Sequence, residues 1–385
     1  MRNSRIIASL CAFSGFLLVV IARGWSGLDQ IPSDPGYDYL GERIQSGFSV
    51  IEVRPYLYAD QSLLASTASL IPLGARAIFL TLASHAIWAG CALVVFAMLH
   101  RRAVGGVASF VGGLLLVTTP WAAQSAIGNY GNVRWPILVA ATVVISAEVA
   151  GKKPRGLPIA LAATAAALSN PLHPLLLAPL LIGATCLAPE RRKTLAVVST
   201  PLLFGLGVNL VTATASGHSE KITSFWDGAG LFWVSGQVLP IAVSVVGLAF
   251  SVRHFGAWSE RQLFAGNLFV MAILIAVASY QLGGIADRYY VAPASLAAIG
   301  TLVWLSDLRT RAVVIANVVA VLLSMVLIVP TIRWFFVFPY LDSATGWSTQ
   351  VRTARMNCDT GALSSVELVT SNGESRTDPI DCDDL

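Results

Sequence analysis

Few side chains in this sequence can do ionic or acid–base chemistry, and those that can are gathered at particular places. The first such stretch runs Gly27-Leu-Asp-Gln-Ile-Pro-Ser-Asp-Pro-Gly-Tyr-Asp-Tyr-Leu40, with Asp34 and Asp38 four residues apart around a turn-forming Pro-Gly. A carboxylate held on such a turn can take a proton from a hydroxyl. The stretch continues through Gly41-Glu-Arg-Ile-Gln-Ser-Gly47 to Arg54-Pro-Tyr-Leu-Tyr-Ala-Asp60. Farther on, Gly128-Asn-Tyr-Gly-Asn-Val-Arg-Trp135 groups Asn129, Asn132 and Arg134, and Ser169-Asn-Pro-Leu-His-Pro174 sets Asn170 and His173 beside two prolines. Asp287-Arg-Tyr-Tyr290 adds Arg288 and Tyr289. A guanidinium about 4 Å from a phosphate oxygen contributes about 4 kcal/mol at an effective dielectric of about 20, enough to hold a phosphate. Each group also has a plainer role. Arg134 and Arg288 are equally at home as snorkelling anchors, Asp34 as a turn residue, and His173 as a partner for the backbone of a broken helix.

The scarcity of charge decides what elements position these groups. A soluble domain carries about 25% charged residues; here 12% are charged and 55% hydrophobic, with a mean hydropathy of +0.70. The apolar excess must face lipid, so the chain reads as an all-α polytopic membrane protein. That excludes a soluble enzyme, a nucleic-acid binder and a disordered chain, and a net charge of +4 is too small and scattered to suggest a polyanionic partner. Apolar stretches approaching the length of a membrane span fall at 6–22, 77–99, 103–119, 135–150, 156–168, 172–188, 194–215, 229–250, 263–282, 289–306 and 312–332, about eleven transmembrane helices.

Alternate connections are basic: Arg2 and Arg5; Arg101 and Arg102; Lys152, Lys153 and Arg155; Arg191, Arg192 and Lys193; Arg253 and Arg261; Arg309 and Arg311. Together these are 14 of the 25 basic residues, whereas the opposite short connections hold Arg134, Lys221 and Arg288. Basic loops stay cytoplasmic, which predicts the N-terminus inside and the C-terminus outside. Segment 156–168 is short for a span at about 1.5 Å per residue, so it forms with 172–188 either two spans or a re-entrant pair of the same sidedness. Arg2 and Arg5 before an apolar run ending Val20-Ile-Ala22 also fit a cleaved signal, but the run exceeds a signal core of roughly 7–15 residues and is read as a first helix. The chain thus divides into a transmembrane domain over 1–332, containing a first outer loop at 24–76 with amphipathic helices, and an extracytoplasmic tail over 333–385.

Cys11, Cys91 and Cys186 sit in apolar helices as small hydrophobes. Cys358 and Cys382 lie in the polar tail expected outside, where disulfides persist. A bond between them closes a loop of about 25 residues and stabilises the tail by about 3–4 kcal/mol. Ser365-Val-Glu-Leu-Val-Thr370 followed by Ser-Asn-Gly reads as a strand and turn, so the tail is expected to be a small disulfide-stapled α/β cap. The five histidines never pair at i, i+4 or with a CxxC, so no metal site is indicated. There is no P-loop and no GxGxxG, which disfavours ATP drive and direct use of a cytoplasmic nucleotide sugar. No helix interior holds the acid or base of an ion relay, and Glu148 lies near a cytoplasmic end, so an ion-coupled carrier is disfavoured. Attention turns to the outer face, where Tyr37, Tyr39, Tyr56 and Tyr58 suit a belt at headgroup depth and residues 38–44 an interfacial helix.

One helix, a long outer loop with an early Asp followed by aromatics and Gly, and then many helices with short loops resemble the GT-C superfamily of polyprenyl-phosphate-sugar-dependent glycosyltransferases. Gly128-Asn-Tyr-Gly-Asn-Val-Arg-Trp135, Arg288-Tyr-Tyr-Val-Ala-Pro293 and a tail with Trp347, Arg355 and Cys358 are similar to a group of bacterial GT-C-like membrane proteins. The architectural resemblance covers nearly the whole chain; the motifs are short. It implies transfer of a sugar, with inversion, from a polyprenyl phosphate to an extracytoplasmic envelope glycan, lipid or protein. It places the catalytic carboxylate on Asp34, with Asp38 second, and the donor phosphate on Arg288 and Arg134. Arg54, Tyr37, Asn129, Asn132, His173 and Tyr289 become the further substrate contacts. No cofactor is implied and no divalent metal is indicated; Pro35 departs from the paired acids often seen in the family. The expected location is the bacterial inner membrane, with the active face outside, and 21 Arg against 4 Lys fits a GC-rich source. Two rivals share the outer vestibule: a flippase or carrier for lipid-linked glycans, and a non-catalytic envelope assembly protein whose tail binds a partner.

Overall fold

A computed structural model describes residues 2–29, 53–54, 56–102, 104–119, 127–186, 195, 199–215, 245, 259–283, 287–307, 346–361, 363–368 and 379–384. The helices are α1 (Arg2–Gly24), α2 (Ala59–Ser69), α3 (Arg76–Arg101), α4 (Gly106–Thr118), α5 (Arg134–Ala150), α6 (Gly156–Ser169), α7 (Leu177–Cys186), α8 (Thr200–Ala215), α9 (Glu260–Gly283), α10 (Val291–Asp307) and α11 (Trp347–Asp359). Two short antiparallel pairs accompany them: β1 (Val53–Arg54) with β2 (Tyr56–Leu57), and β3 (Ser365–Val366) with β4 (Ile380–Asp381). The expected segments 229–250 and 312–332 fall outside the described residues, apart from the helical position 245.

The chain is a helical membrane protein. Among the described residues, four stretches are long and apolar enough to cross a bilayer: Ile6–Gly24, Leu73–Arg101, Tyr130–Ala150 and Glu260–Ser279. Five shorter apolar helices pack among them. Burial separates centre from rim. The apolar window of α5 is 94% buried and that of α1 only 22%, so α5 is the axis, in contact with α3, α6, α7, α9 and α10, while α1 lies outside against α3 and α4. The outward surface is apolar, with Leu10, Leu18, Val107, Phe110, Leu157, Leu161 and Phe204 exposed. A surface of this kind is stable against lipid and not against water.

Close approach depends on small residues. A Cβ at Gly113 of α4 would sit 2.8 Å from the Ala92 carbonyl oxygen of α3 and against the Phe16 ring of α1, the tight packing expected where helices associate without a hydrophobic drive. The Arg23 guanidinium at the end of α1 donates to the carbonyls of Val117 and Thr119, covering orphan acceptors at the end of α4 with a positive charge.

At the opposite end of the bundle an ionic network joins five helices. The Glu148 carboxylate of α5 is buried and accepts from Arg101 of α3 and from Arg155, just before α6, at 2.8 Å. Arg102 reaches Glu260 of α9 at 3.1 Å. Ser259 donates to Asp307 of α10 at 2.9 Å, and Arg261 donates to the Ser306 carbonyl at 2.9 Å.

The break between α6 and α7 is built from side-chain hydrogen bonds. Pro171 and Pro174 end α6, and Asn170 then accepts from the Leu172 N–H at 2.9 Å and donates to the Arg134 carbonyl at 3.3 Å. The His173 ring nitrogens lie 2.8 and 3.1 Å from the carbonyls of Asn170 and Leu202. Backbone groups freed by the prolines are thereby re-satisfied inside the bundle.

A second, smaller core caps the end where α3 and α5 begin. It contains Tyr58, Ala65 and Ala68 from the first loop, Leu73, Ala77 and Leu80 around the start of α3, and Tyr130. Trp347, Val351, Ala354, Leu368 and Ile380 of the tail complete it. Cys358 and Cys382 are joined by a disulfide, with Cα atoms 5.6 Å apart. Of the expected strand over 365–370, Ser365–Val366 pairs with Ile380–Asp381, residues 367–368 are not strand, and 369–370 lie outside the described residues.

Candidate functional site

The turn before α5 is fixed by hydrogen bonds from the helices on two of its sides. Gly128 has φ +81°, a conformation that side chains other than glycine rarely adopt. Asn129 then accepts the Gly131 N–H at 2.8 Å, and the Gly131 carbonyl takes the Gln61 amide of α2 at 2.6 Å. Ser84 of α3 supports the Asn129 carbonyl at 3.4 Å. The turn is therefore fixed from α2 on one side and α3 on the other, and it delivers Arg134 as the first residue of α5.

Arg134 is buried, its guanidinium 5.1 Å from the centroid of Tyr58 and 5.4 Å from that of Trp135. Both contacts are cation–π distances, which hold a guanidinium in place where water is excluded. Asp60, in the first turn of α2, has both carboxylate oxygens shut off from solvent. Burial pushes its carboxyl up from 3.8 to about 7; the Gln61 backbone N–H and the Arg134 charge oppose that shift and are outweighed. A carboxyl that titrates near neutrality is suited to exchange a proton with a substrate hydroxyl.

The aromatic wall extends to a third stretch of sequence. Trp135 meets Tyr289 edge to face with ring centroids 5.4 Å apart, which places the Asp287–Tyr290 turn beside the start of α5. Gly128–Trp135 and Asp287–Tyr290, separate in sequence, are thus neighbours.

The expected residues divide as follows. Asp34, Tyr37 and Asp38 lie outside the described residues. Arg54 in β1 and Arg288 in the 287–290 turn are placed by their backbones. Arg134, Asn129, Asn132 and Tyr289 cluster around the turn before α5. His173 is packed away, with both ring nitrogens on main-chain carbonyls. Tyr58, expected at headgroup depth, is buried under Arg134 instead, because α2 folds back onto the start of α3. Asp60 and Gln61 were not selected by spacing; their signal is an acid at the start of an 11-residue segment rich in Ala and Ser, which can pack closely enough to bury that acid. His85 is a further buried group, its ring against Gly128 and both nitrogens without a hydrogen-bond partner among the described residues.

Among the described residues no three His, Cys, Asp or Glu side chains stand together as a metal site. No protein-family model matches the chain, and no curated protein matches it.

Proposed function

We propose that this protein is a membrane glycosyltransferase of GT-C type, moving a sugar from a polyprenyl-phosphate donor to an extracytoplasmic envelope acceptor. The observation that carries the reading is Asp60, a buried carboxyl pushed up to about 7 that feels the charge of Arg134, itself held between the rings of Tyr58 and Trp135. Asp60 lies in the first outer loop, where the resemblance calls for a catalytic acid; Asp34 and Asp38, the acids expected in that role, lie outside the described residues. The reading includes about eleven spans, a cytoplasmic N-terminus, and the disulfide-bonded tail on the outer face of a bacterial inner membrane.

In this reaction the ionised Asp60 accepts the proton of an acceptor hydroxyl as that oxygen attacks the anomeric carbon. The bond from that carbon to the donor phosphate oxygen breaks, and its electron pair leaves on the polyprenyl phosphate, with inversion. Arg288, one residue from Tyr289, is the proposed phosphate ligand, with Arg134, held between two rings, as the second cation of the site; its charge favours the ionised form of Asp60 against the larger effect of burial. The lipid chain stays in the bilayer along the apolar outer surface of the helices.

The network around Glu148 favours a transferase over a carrier. A carrier must open both ends of the bundle in turn, whereas here five helices are bound together at the end away from Asp60. The test is to incubate the purified full-length protein with a panel of polyprenyl-phosphate sugars and measure transfer or donor hydrolysis. Turnover that disappears in Asp60→Asn and persists in Asp34→Asn and Asp38→Asn supports the assignment. Full turnover in Asp60→Asn removes Asp60 from the chemistry.

A further inference from the structure

The tail does more than cover the outer end of the bundle. Asp29, just beyond the turn that closes α1, accepts the Trp347 N–H on its backbone carbonyl at 2.7 Å. Its carboxylate accepts the Ser348 N–H at 3.0 Å and the Ser348 hydroxyl at 2.6 Å. A carboxylate so placed satisfies orphan N–H groups of the first turn of α11 and lies at the positive end of its dipole. The fit is tight: a Cβ at Gly346 would stand 2.5 Å from the Asp29 carboxylate.

The neighbouring side chain grips the far end of the same loop. Trp347, fully buried, donates from its indole N–H to the Leu73 carbonyl at 2.8 Å across 274 residues of sequence. Two consecutive tail residues therefore hold Asp29 and Leu73, the two ends of the loop that carries Tyr58 and Asp60. The apolar side of α11 reaches further, since Trp347, Val351 and Ala354 share one core with Tyr58 and Tyr130, and Tyr58 is the ring beneath Arg134. Ile380 enters that core from the far side of the Cys358–Cys382 disulfide, so the bond ties together both parts of the tail that contribute to it.

We infer that the C-terminal segment is a positioning element of the Asp60 site: Trp347 and Ser348 clasp both ends of the first loop, hold Tyr58 against Arg134 and fix the start of α2 that carries Asp60, and the disulfide keeps the clasp closed. This rests on Asp60 and Arg134 being the site and not on which reaction they perform.

The experiment is hydrogen exchange of the full-length protein in lipid nanodiscs, without substrate, so that a failed transfer assay and a failed clasp remain separate results. Asp29→Ala and Gly346→Ala are expected to speed exchange at least tenfold in peptides covering 58–69 and 128–135, with α9 and α10 unchanged. Asp29→Asn keeps an acceptor for the Ser348 N–H and is expected to restore protection. Trp347→Phe keeps an aromatic ring in the core but removes the bond to Leu73 and leaves a small cavity, and gives the same spread if Asp29→Ala does not fold. Reduction of the disulfide is expected to act in the same direction. Carbodiimide modification of Asp60, followed by mass spectrometry across pH, supplies a reading that a mere cover would not move: its midpoint is expected to fall by at least one pH unit in Asp29→Ala and to recover in Asp29→Asn. Extra exchange confined to 346–384, with the Asp60 midpoint unchanged, overturns the inference.

Discussion

Trp135 and Tyr289 meet edge to face with ring centroids 5.4 Å apart, and this contact joins the start of α5 to the turn that carries Arg288. Edge-to-face pairs contribute about 0.5–1.5 kcal/mol beyond the area they bury. Tyr289→Ala and Trp135→Leu are each expected to lower thermal stability, and a double-mutant cycle should return a coupling of about 0.5–1.5 kcal/mol. Tyr289→Phe keeps the ring and should keep the coupling to Trp135. A coupling near zero would show that the two turns are held together by other contacts.

Asp60 links activity to stability with opposite signs. Its carboxyl titrates near 7 in the folded protein and near 3.8 when solvated, so between those values the folded state holds a proton that the unfolded state has lost. Stability then declines as pH rises from about 4 to about 7, the reverse of a salt-bridged acid. The base form needed for proton abstraction becomes populated over the upper part of the same range. Transfer is expected to rise with pH through about 7, and Asp60→Asn to lower it by about 10²–10⁴-fold, the usual contribution of a general base. The same variant should melt higher than wild type at pH 8, because no buried charge remains. A lower melting temperature at pH 8 would place the Asp60 carboxylate among the stabilising groups instead.

Much of the scaffold was legible because membrane helices must be apolar over a fixed length. The segment expected at 77–99 is Arg76–Arg101, that at 135–150 is Arg134–Ala150, and that at 263–282 is Glu260–Gly283. The arginines before α5 and α10 stood out because charge is scarce. Asp60 did not, because nothing local buries it. Its environment comes from Arg134, more than seventy residues away in the chain, and from the way α2 lies on the turn before α5. Asp34 and Asp38 are marked by the Pro-Gly between them, a turn signal, and lie outside the described residues. His173 shows the complementary case: its two prolines marked a helix break, and in the fold the ring serves that break.

Gly128 tests whether the turn before α5 must keep its geometry. Its φ of +81° makes Gly128→Ala strained by about 1–2 kcal/mol, and the added Cβ would meet the His85 ring nitrogen at 3.4 Å. The free energy of unfolding should drop by that amount, and exchange should rise across 128–135 where the Asn129–Gly131 and Gln61–Gly131 bonds lie. Gly131→Ala, with no positive φ and a contact of 3.1 Å to the Asn129 side chain, should cost less. Equal losses in the two variants would mean that crowding, not backbone conformation, limits the turn.

The Glu148 network makes a prediction about additivity. The Glu148 carboxylate is buried while Arg101 and Arg155 are partly exposed, so the three partners do not respond alike to truncation. Arg101→Ala leaves Glu148 with Arg155, which also donates its backbone N–H at 3.2 Å; Arg155→Ala leaves it with Arg101. Each should cost about 0.5–1.5 kcal/mol, the net worth of one hydrogen bond to a partly solvated group. Removing both arginines strands a buried charge, and such losses reach about 3–5 kcal/mol. The double variant should therefore lose more than the sum of the singles, and Glu148→Gln on that background should recover part of the deficit, because an amide needs no counter-charge. Chemical-denaturant or thermal unfolding in detergent measures all four. Simple additivity, with no recovery by Glu148→Gln, would show that water reaches this carboxylate and that the network does not close that end of the bundle.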